Sequence, residues 1–188
     1  MKTKLALILM FCSLNGFDIP AHAKPAQVVI IRHAEKSSDE DPDLSPRGSQ
    51  RAQALVGFIL TNAKINLFGP PVAIYATEPQ SDGSVRAIKT VTPLAEKLQL
   101  TINHDFTKKN VSNMVDSILR NRSYDGRTVL ISWVRNTIPE VADDFGAQAP
   151  SSWPSEIFDR AWILTFDKSG VIRFEDIPQR LLPGDSGE

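Results

Sequence analysis

The 188-residue sequence has one cysteine, Cys12, and three histidines, His22, His33 and His104. A lone cysteine builds neither a disulfide framework nor a thiolate metal site. Neither sign of charge is in excess, with 21 Lys and Arg against 22 Asp and Glu, and no run of basic residues stands out. The electrostatic footprint of a nucleic-acid-binding protein is therefore missing. There is no glycine-rich loop of the P-loop type, and no HExxH-like spacing that would hold a metal. No cofactor is implied. The most apolar stretch, LALILMFCSL, has ten residues, too few to span a bilayer as a helix.

The setting of that stretch explains it. A short basic segment, MKTK, precedes it, and AHA at Ala21–Ala23 follows as an A-x-A cleavage site. This predicts a secretory signal peptide over residues 1–23, cleaved after Ala23. Bulky Met10 and Phe11 before Cys12 argue against a lipoprotein signal. The product is expected to be secreted or periplasmic, with no membrane segment and no cysteine. Residues 24–188 suffice for one domain.

Along that domain, apolar strand-like runs alternate with amphipathic helical ones. Gln27–Ile31 is apolar throughout, as a strand buried on both faces is. A helix is predicted from Pro46, with Ser45 as N-cap and a stop near NAK. Pro71–Ala76 reads as a second strand. The stretch SDGSVRAIKTVTPLAEKLQL reads as helical, with Pro93 expected to kink it or restart it after Thr92. LTINHDF, the helix NVSNMVDSILRN, the strand RTVLISW and a short helix closed by Gly146 follow. AWILTF and VIRFED are expected to form an antiparallel hairpin across DKSG, before a frayed tail, QRLLPGDSGE. The alternation predicts an α/β fold, a three-layer α/β/α sandwich with a mostly parallel central sheet.

Ligand crevices in such sheets lie beyond the carboxyl ends of the strands. The first strand ends there in Arg32-His33. Taken alone, the pair is as well read as a surface arginine and a packed histidine. The ordered set of Arg32-His33-Ala34, Leu44-Ser45-Pro46-Arg47-Gly48, Ala76-Thr77 and Arg86-Ala87 with Thr90 one turn later points further. It resembles the histidine phosphatase (phosphoglycerate-mutase-like) superfamily. VLISWVRNTIPE and FDRAWILTF are similar to a small exported bacterial branch with an RHAEK motif, and the resemblance covers nearly all of residues 24–188.

The resemblance implies a phosphoryl-transfer pocket. In it His33 is the nucleophile that forms a phosphohistidine, which water then hydrolyses. Arg32 and Arg86 are the clamp on the phosphoryl oxygens. Thr77 either lends a hydroxyl or caps its strand. Arg47 reads as a surface residue at the start of its helix. The superfamily also has a second histidine after the late strand, and the segment Ile131–Pro139 contains none. Alignment on the tryptophan puts Arg135 in its place; alignment on NTIP puts Val134 there. Asp105, beside His104, is a candidate acid, but both also read as an exposed strand end. Glu35 and Glu78 are further candidates on crevice loops, and both also read as solvated loop charges. Two functions stay open. One is an exported phosphomonoesterase of reduced or altered activity. The other is a non-catalytic member that binds a phosphate ligand or a protein. The expected partner is a phosphorylated small molecule or a phosphoprotein.

Overall fold

The computed structural model describes residues 24–38, 40–79, 83–167, 170 and 172–186. The expected signal peptide lies outside the described residues. Six strands form one sheet: β1 (Gln27–Arg32), β2 (Pro71–Thr77), β3 (Ile102–Phe106), β4 (Thr128–Trp133), β5 (Arg160–Phe166) and β6 (Ile172–Pro178). Their spatial order is β3-β2-β4-β1-β5-β6. The first four strands run parallel, and β5 and β6 add an antiparallel edge. Lys168 and Ser169 of the connecting DKSG segment lie outside the described residues.

Helices cover both faces. Val29, Ile31 and Leu130 point towards α1 (Pro46–Thr61) and α2 (Arg86–Leu98), packing with Leu55, Ile59, Val91 and Leu94. Their neighbours Val28, Ile30 and Ile131 point the other way. They pack with Met114 and Ile118 of α3 (Val111–Arg120) and with Val141 of α4 (Ile138–Asp144). This two-sided burial is why β1 and β4 carry no alternating polar residues. The sandwich with a mostly parallel sheet is the architecture the alternation predicts.

Local signals decide where α1 begins. The Ser45 hydroxyl accepts the Gly48 N–H at 3.0 Å, and Pro46 occupies the first turn, where no N–H is needed. α2 differs from expectation twice. It starts at Arg86, after Gly83 at φ +79°, and it runs through Pro93 without restarting. Burial of Val91, Leu94 and Ala95 on either side of the proline holds the helix together across the missing hydrogen bond.

The tail is a further correction. Residues 179–186 are anchored, not frayed. Asp185 Oδ2 accepts the N–H groups of Leu181 and Leu182 at 2.8 and 3.0 Å. Its carboxylate also pairs with Arg51, Nη2 to Oδ1 at 2.6 Å. The Ser186 hydroxyl donates to Asp159 at 2.7 Å. No helix among the described residues is long and apolar enough to cross a membrane.

Candidate active site

A cavity of about 660 Å³ lies over the carboxyl ends of the four parallel strands. Arg32, His33 and Lys36 reach it from the end of β1, and Thr77 from the end of β2. Ser84, Arg86 and Ala87 come from the start of α2, Lys108 and Lys109 from the loop after β3. Val134–Thr137 and Glu140 complete the wall after β4. The walls thus carry six cationic side chains and, among the described residues, one carboxylate, Glu140. Such a concentration of one sign in a concave site favours an anionic ligand.

His33 is fixed at three points. Its backbone N–H extends the β1–β4 ladder by donating to Trp133 O at 2.9 Å. Its ring Nδ1 lies 2.8 Å from Ala34 O. A carbonyl only accepts, so Nδ1 carries the proton and Nε2 keeps a lone pair. The ring also tilts against Phe158, with centroids 6.0 Å apart. Burial, then the charges of Arg32, Arg86 and Lys36, push the imidazole pKa down to about 4, against the opposing pull of the Ala34 hydrogen bond. The ring is neutral at pH 7, the state in which imidazole is a nucleophile.

The segment after β1 is held equally firmly. The Ala34 N–H donates to Thr90 Oγ1 at 2.8 Å, and that hydroxyl donates to Arg86 O at 2.8 Å. One buried threonine therefore ties the histidine's neighbour to the first residue of α2. Arg86 itself donates from Nε to the Ser84 hydroxyl at 2.9 Å.

Arg32 is buried, with its guanidinium 3.6 Å above the Phe158 ring centroid. Nη1 donates to Ser155 O at 2.6 Å and to Ile157 O at 2.9 Å. Nε is buried without a protein partner. Burial, followed by the positive charge of Arg135, lowers the pKa of Arg32 to about 10. Charges of one sign packed this closely relieve their repulsion by taking up an anion. The segment Pro154–Phe158 is what orients this arginine.

Val134 and Arg135 both line the cavity. The β1–β4 register pairs Arg32 with Trp133, so the next step sets Val134 beside His33. Val134 also packs against the core. Arg135 acts through its charge, lowering the pKa of both Arg32 and Lys36. Thr77, buried at 3% exposure, joins the cavity.

Other candidates lie elsewhere. Asp105 is exposed on the edge strand β3, bonded to Asn103 at 3.1 Å, and does not line the cavity; neither does His104. Glu78 is exposed and outside the lining. Glu35 is not a solvated charge. Its carboxylate takes 2.7 and 3.0 Å ion pairs from Arg51 and Arg47. Among the described residues no group of three or more His, Cys, Asp or Glu is placed to hold a metal ion.

Lys36, Lys108, Lys109 and Glu140 were not singled out from sequence. The rule that ligands sit beyond the carboxyl ends of parallel strands points to TKKN after β3 as much as to RHAEK after β1.

Comparison with solved structures places this arrangement in a known fold. A mycobacterial glucosyl-3-phosphoglycerate phosphatase superimposes with a TM-score of 0.52 at 13% identity, covering 81% of this chain and 97% of that one. The fold is that of the histidine phosphatases. The Agrobacterium tumefaciens protein assigned as the phosphohistidine phosphatase SixA gives 0.51 at 16%, over 81% and 98% of the two chains. A phosphoglycerate mutase from Bacillus anthracis str. Sterne gives 0.50 at 12%, over 83% and 94%. No protein-family model and no curated protein matches the sequence. The histidine-phosphatase fold accounts for the cavity at the strand ends, and among the described residues one histidine, His33, lines it.

Proposed function

We propose that this chain is a phosphomonoesterase that works through a phosphohistidine on His33. The observation that carries this reading is a neutral His33, its Nδ1 committed to Ala34 O, in a cavity walled by cations. Nε2 attacks phosphorus, the ester P–O bond breaks, and the alcohol leaves after taking a proton. Water then attacks the same phosphorus, the P–N bond breaks, and phosphate departs. Arg32, Arg86 and Arg135 hold the phosphoryl oxygens as their charge grows. Glu140 is the proton donor the cavity offers in place of Asp105. The phosphatases of the same fold act, by their names, on a sugar phosphoglycerate and on phosphohistidine, which supports a phosphorylated small molecule or a phosphoprotein as substrate. We place the protein outside the cytoplasm on the leader-like residues 1–23.

A second reading is favoured by one specific observation: among the described residues, no second histidine lines the cavity. Losing one preorganised transition-state donor costs about 10²–10³ in rate. A pocket that binds oxyanions with little turnover is the outcome if Arg135 does not replace that donor. Incubation with an aryl phosphate separates the two. Hydrolysis and acid-labile phosphoryl label on the wild type, both lost in His33→Ala, support the enzyme. Phosphate binding without label or product supports the binder.

A further inference from the structure

We propose that the C-terminal segment Leu181–Ser186 is a strap that positions the phosphoryl pocket from behind, Asp185 holding the loop that carries His33 and Ser186 holding the loop that orients Arg32. The inference rests on the phosphatase reading for what the pocket binds. It adds two positioning residues that lie outside the pocket's walls.

The strap meets two loops that are far apart in sequence. Glu35 lies two residues after His33. Its carboxylate takes Arg51 Nη2 at 2.7 Å and Nε at 2.9 Å. The same buried guanidinium donates to Asp185, Nη1 to Oδ2 at 2.9 Å and Nη2 to Oδ1 at 2.6 Å. Arg47 repeats the bridge nearer the surface, with Nε on Glu35 at 3.0 Å and Nη2 on Asp185 at 2.9 Å. On the other side, Asp159 follows Phe158, whose ring lies against both Arg32 and His33. Asp159 is buried, and its Oδ2 accepts both the Ser186 hydroxyl, at 2.7 Å, and the Ser186 N–H. Its backbone oxygen accepts the Gln179 N–H at 2.8 Å.

A tail that served only the core would bury apolar surface. Here Leu181 packs against the core, but Pro183 and Gly184 are exposed, and Asp185 and Ser186 make polar contacts. Asp185 is oriented by its own turn, since it accepts the Leu181 and Leu182 N–H groups. A cavity of about 490 Å³ lies between the strap and the backs of the loops, lined among others by Glu35, Phe158, Asp159 and Asp185. Close packing therefore does not fix the loops on this side, and the hydrogen bonds set their spacing.

The test uses the full chain carrying Asp185→Asn or Ser186→Ala, at a temperature where circular dichroism shows it folded. Inorganic phosphate binding is measured by calorimetry and the His33 ring titration by NMR. Charge and positioning predict opposite signs for Asp185→Asn. Removing a carboxylate near a cationic pocket should, by charge alone, tighten phosphate binding and lower the ring midpoint. Loosened loops should instead weaken phosphate binding about tenfold or more, the worth of one charge-assisted contact. They should also raise the ring midpoint from about 4, because burial is its main depressing cause. Ser186→Ala changes no charge and should shift both readouts the same way by a smaller factor; it decides the matter if Asp185→Asn does not fold. Ile118→Val, in the core on the opposite face of the sheet, should move neither. Unchanged or tighter phosphate binding, or a ring midpoint that stays or falls, overturns the strap. An equal shift in Ile118→Val overturns it too, by making the effect a general loss of stability. If the unaltered chain binds no phosphate, the phosphoryl pocket falls and this inference with it, an outcome told apart from failure of the strap because it precedes any substitution.

Discussion

Arg51 Nη2 stands 2.6 Å from Asp185 Oδ1, joining the middle of the first helix to a residue 134 positions away. Arg51 is 1% exposed, and its guanidinium is shared between Asp185 and Glu35. Burial alone pushes the Asp185 carboxyl up, but hydrogen bonds from Arg51 and from the Leu182 and Leu181 amides overcome it, leaving the group well below the usual carboxylate range. Asp185→Asn removes the charge that compensates a buried cation and is expected to destabilise the protein by about 1.5–3 kcal/mol. Urea denaturation measures this. The sign with pH follows from linkage. A carboxyl depressed in the folded state adds stability at neutral pH that is lost as pH falls below about 4. The acid limb of the wild-type stability curve should be shallower in Asp185→Asn; identical limbs would show that the pair contributes nothing.

His33 has the same direction of shift with a different consequence. Its folded pKa of about 4 lies below the value near 6.5 of an unfolded histidine. Between those two values the unfolded chain binds a proton that the folded chain refuses. Stability should therefore fall as pH drops from about 6.5 to about 4, by roughly 3 kcal/mol in all. His33→Gln should remove that slope. A direct ring titration by NMR should find the midpoint well below 6; a midpoint at 6.5 would mean that burial does not control this ring.

Thr90 offers a test of how the site is held. Its hydroxyl is the acceptor for Ala34 N–H and the donor to Arg86 O. Thr90→Val keeps the volume and leaves the Ala34 amide buried without a partner, at a cost of about 1–3 kcal/mol. Because Ala34 O anchors the His33 ring, turnover should fall further than stability alone explains, and Thr90→Ser should recover both. Thr90→Val with unchanged kcat would separate this bond from the site.

Much of the fold was legible because it depends on neighbours in sequence. The cap at Ser45, the apolar runs of β1 and β4 and the alternation of strand and helix need only a local window. What was not legible depends on distant partners. Arg51 reads as one more polar residue of an amphipathic helix, because Glu35 and Asp185 are 16 and 134 positions away. The Lys108–Lys109 pair sits in a chain with nearly balanced charge, and only the sheet brings it towards Arg32 and Lys36. Pro93 misled in the opposite direction, since a local penalty was outweighed by packing on both sides of it. The tail looked polar and terminal, and one carboxylate anchors it.

Gly48 sits where α1 meets the segment after His33. A Cβ built on it falls 2.2 Å from Glu35 O, a backbone atom held by the Ser45 N–H at 2.9 Å. Gly48→Ala must therefore move the helix start or the Glu35 segment. Overpacking of this kind costs about 1–3 kcal/mol. The displacement points at the loop that carries His33, so phosphate affinity should weaken along with thermal stability. Retention of both would show that the segment yields freely.

On the phosphatase reading, Val134 and Arg135 are the two positions open to a second imidazole. Val134 follows the strand register next to His33 and packs partly on the core, while Arg135 bears directly on the charge of Arg32. Arg135→Ala should weaken phosphate binding about tenfold or more, as loss of a charge-assisted contact worth about 1.5–3 kcal/mol does, and should raise the pKa of Arg32 and Lys36 by removing a neighbouring cation. Unchanged affinity would show that its guanidinium takes no part. Installing the absent histidine tests the geometry in the other direction. If the donor belongs in strand register, Val134→His raises aryl phosphate turnover and Arg135→His does not. If Arg135 already stands in that place, Arg135→His keeps or raises turnover and Val134→His lowers it by disturbing the core. Equal loss in both variants would mean that this pocket completes its transition state without a second imidazole, leaving the arginines as its only oxyanion donors.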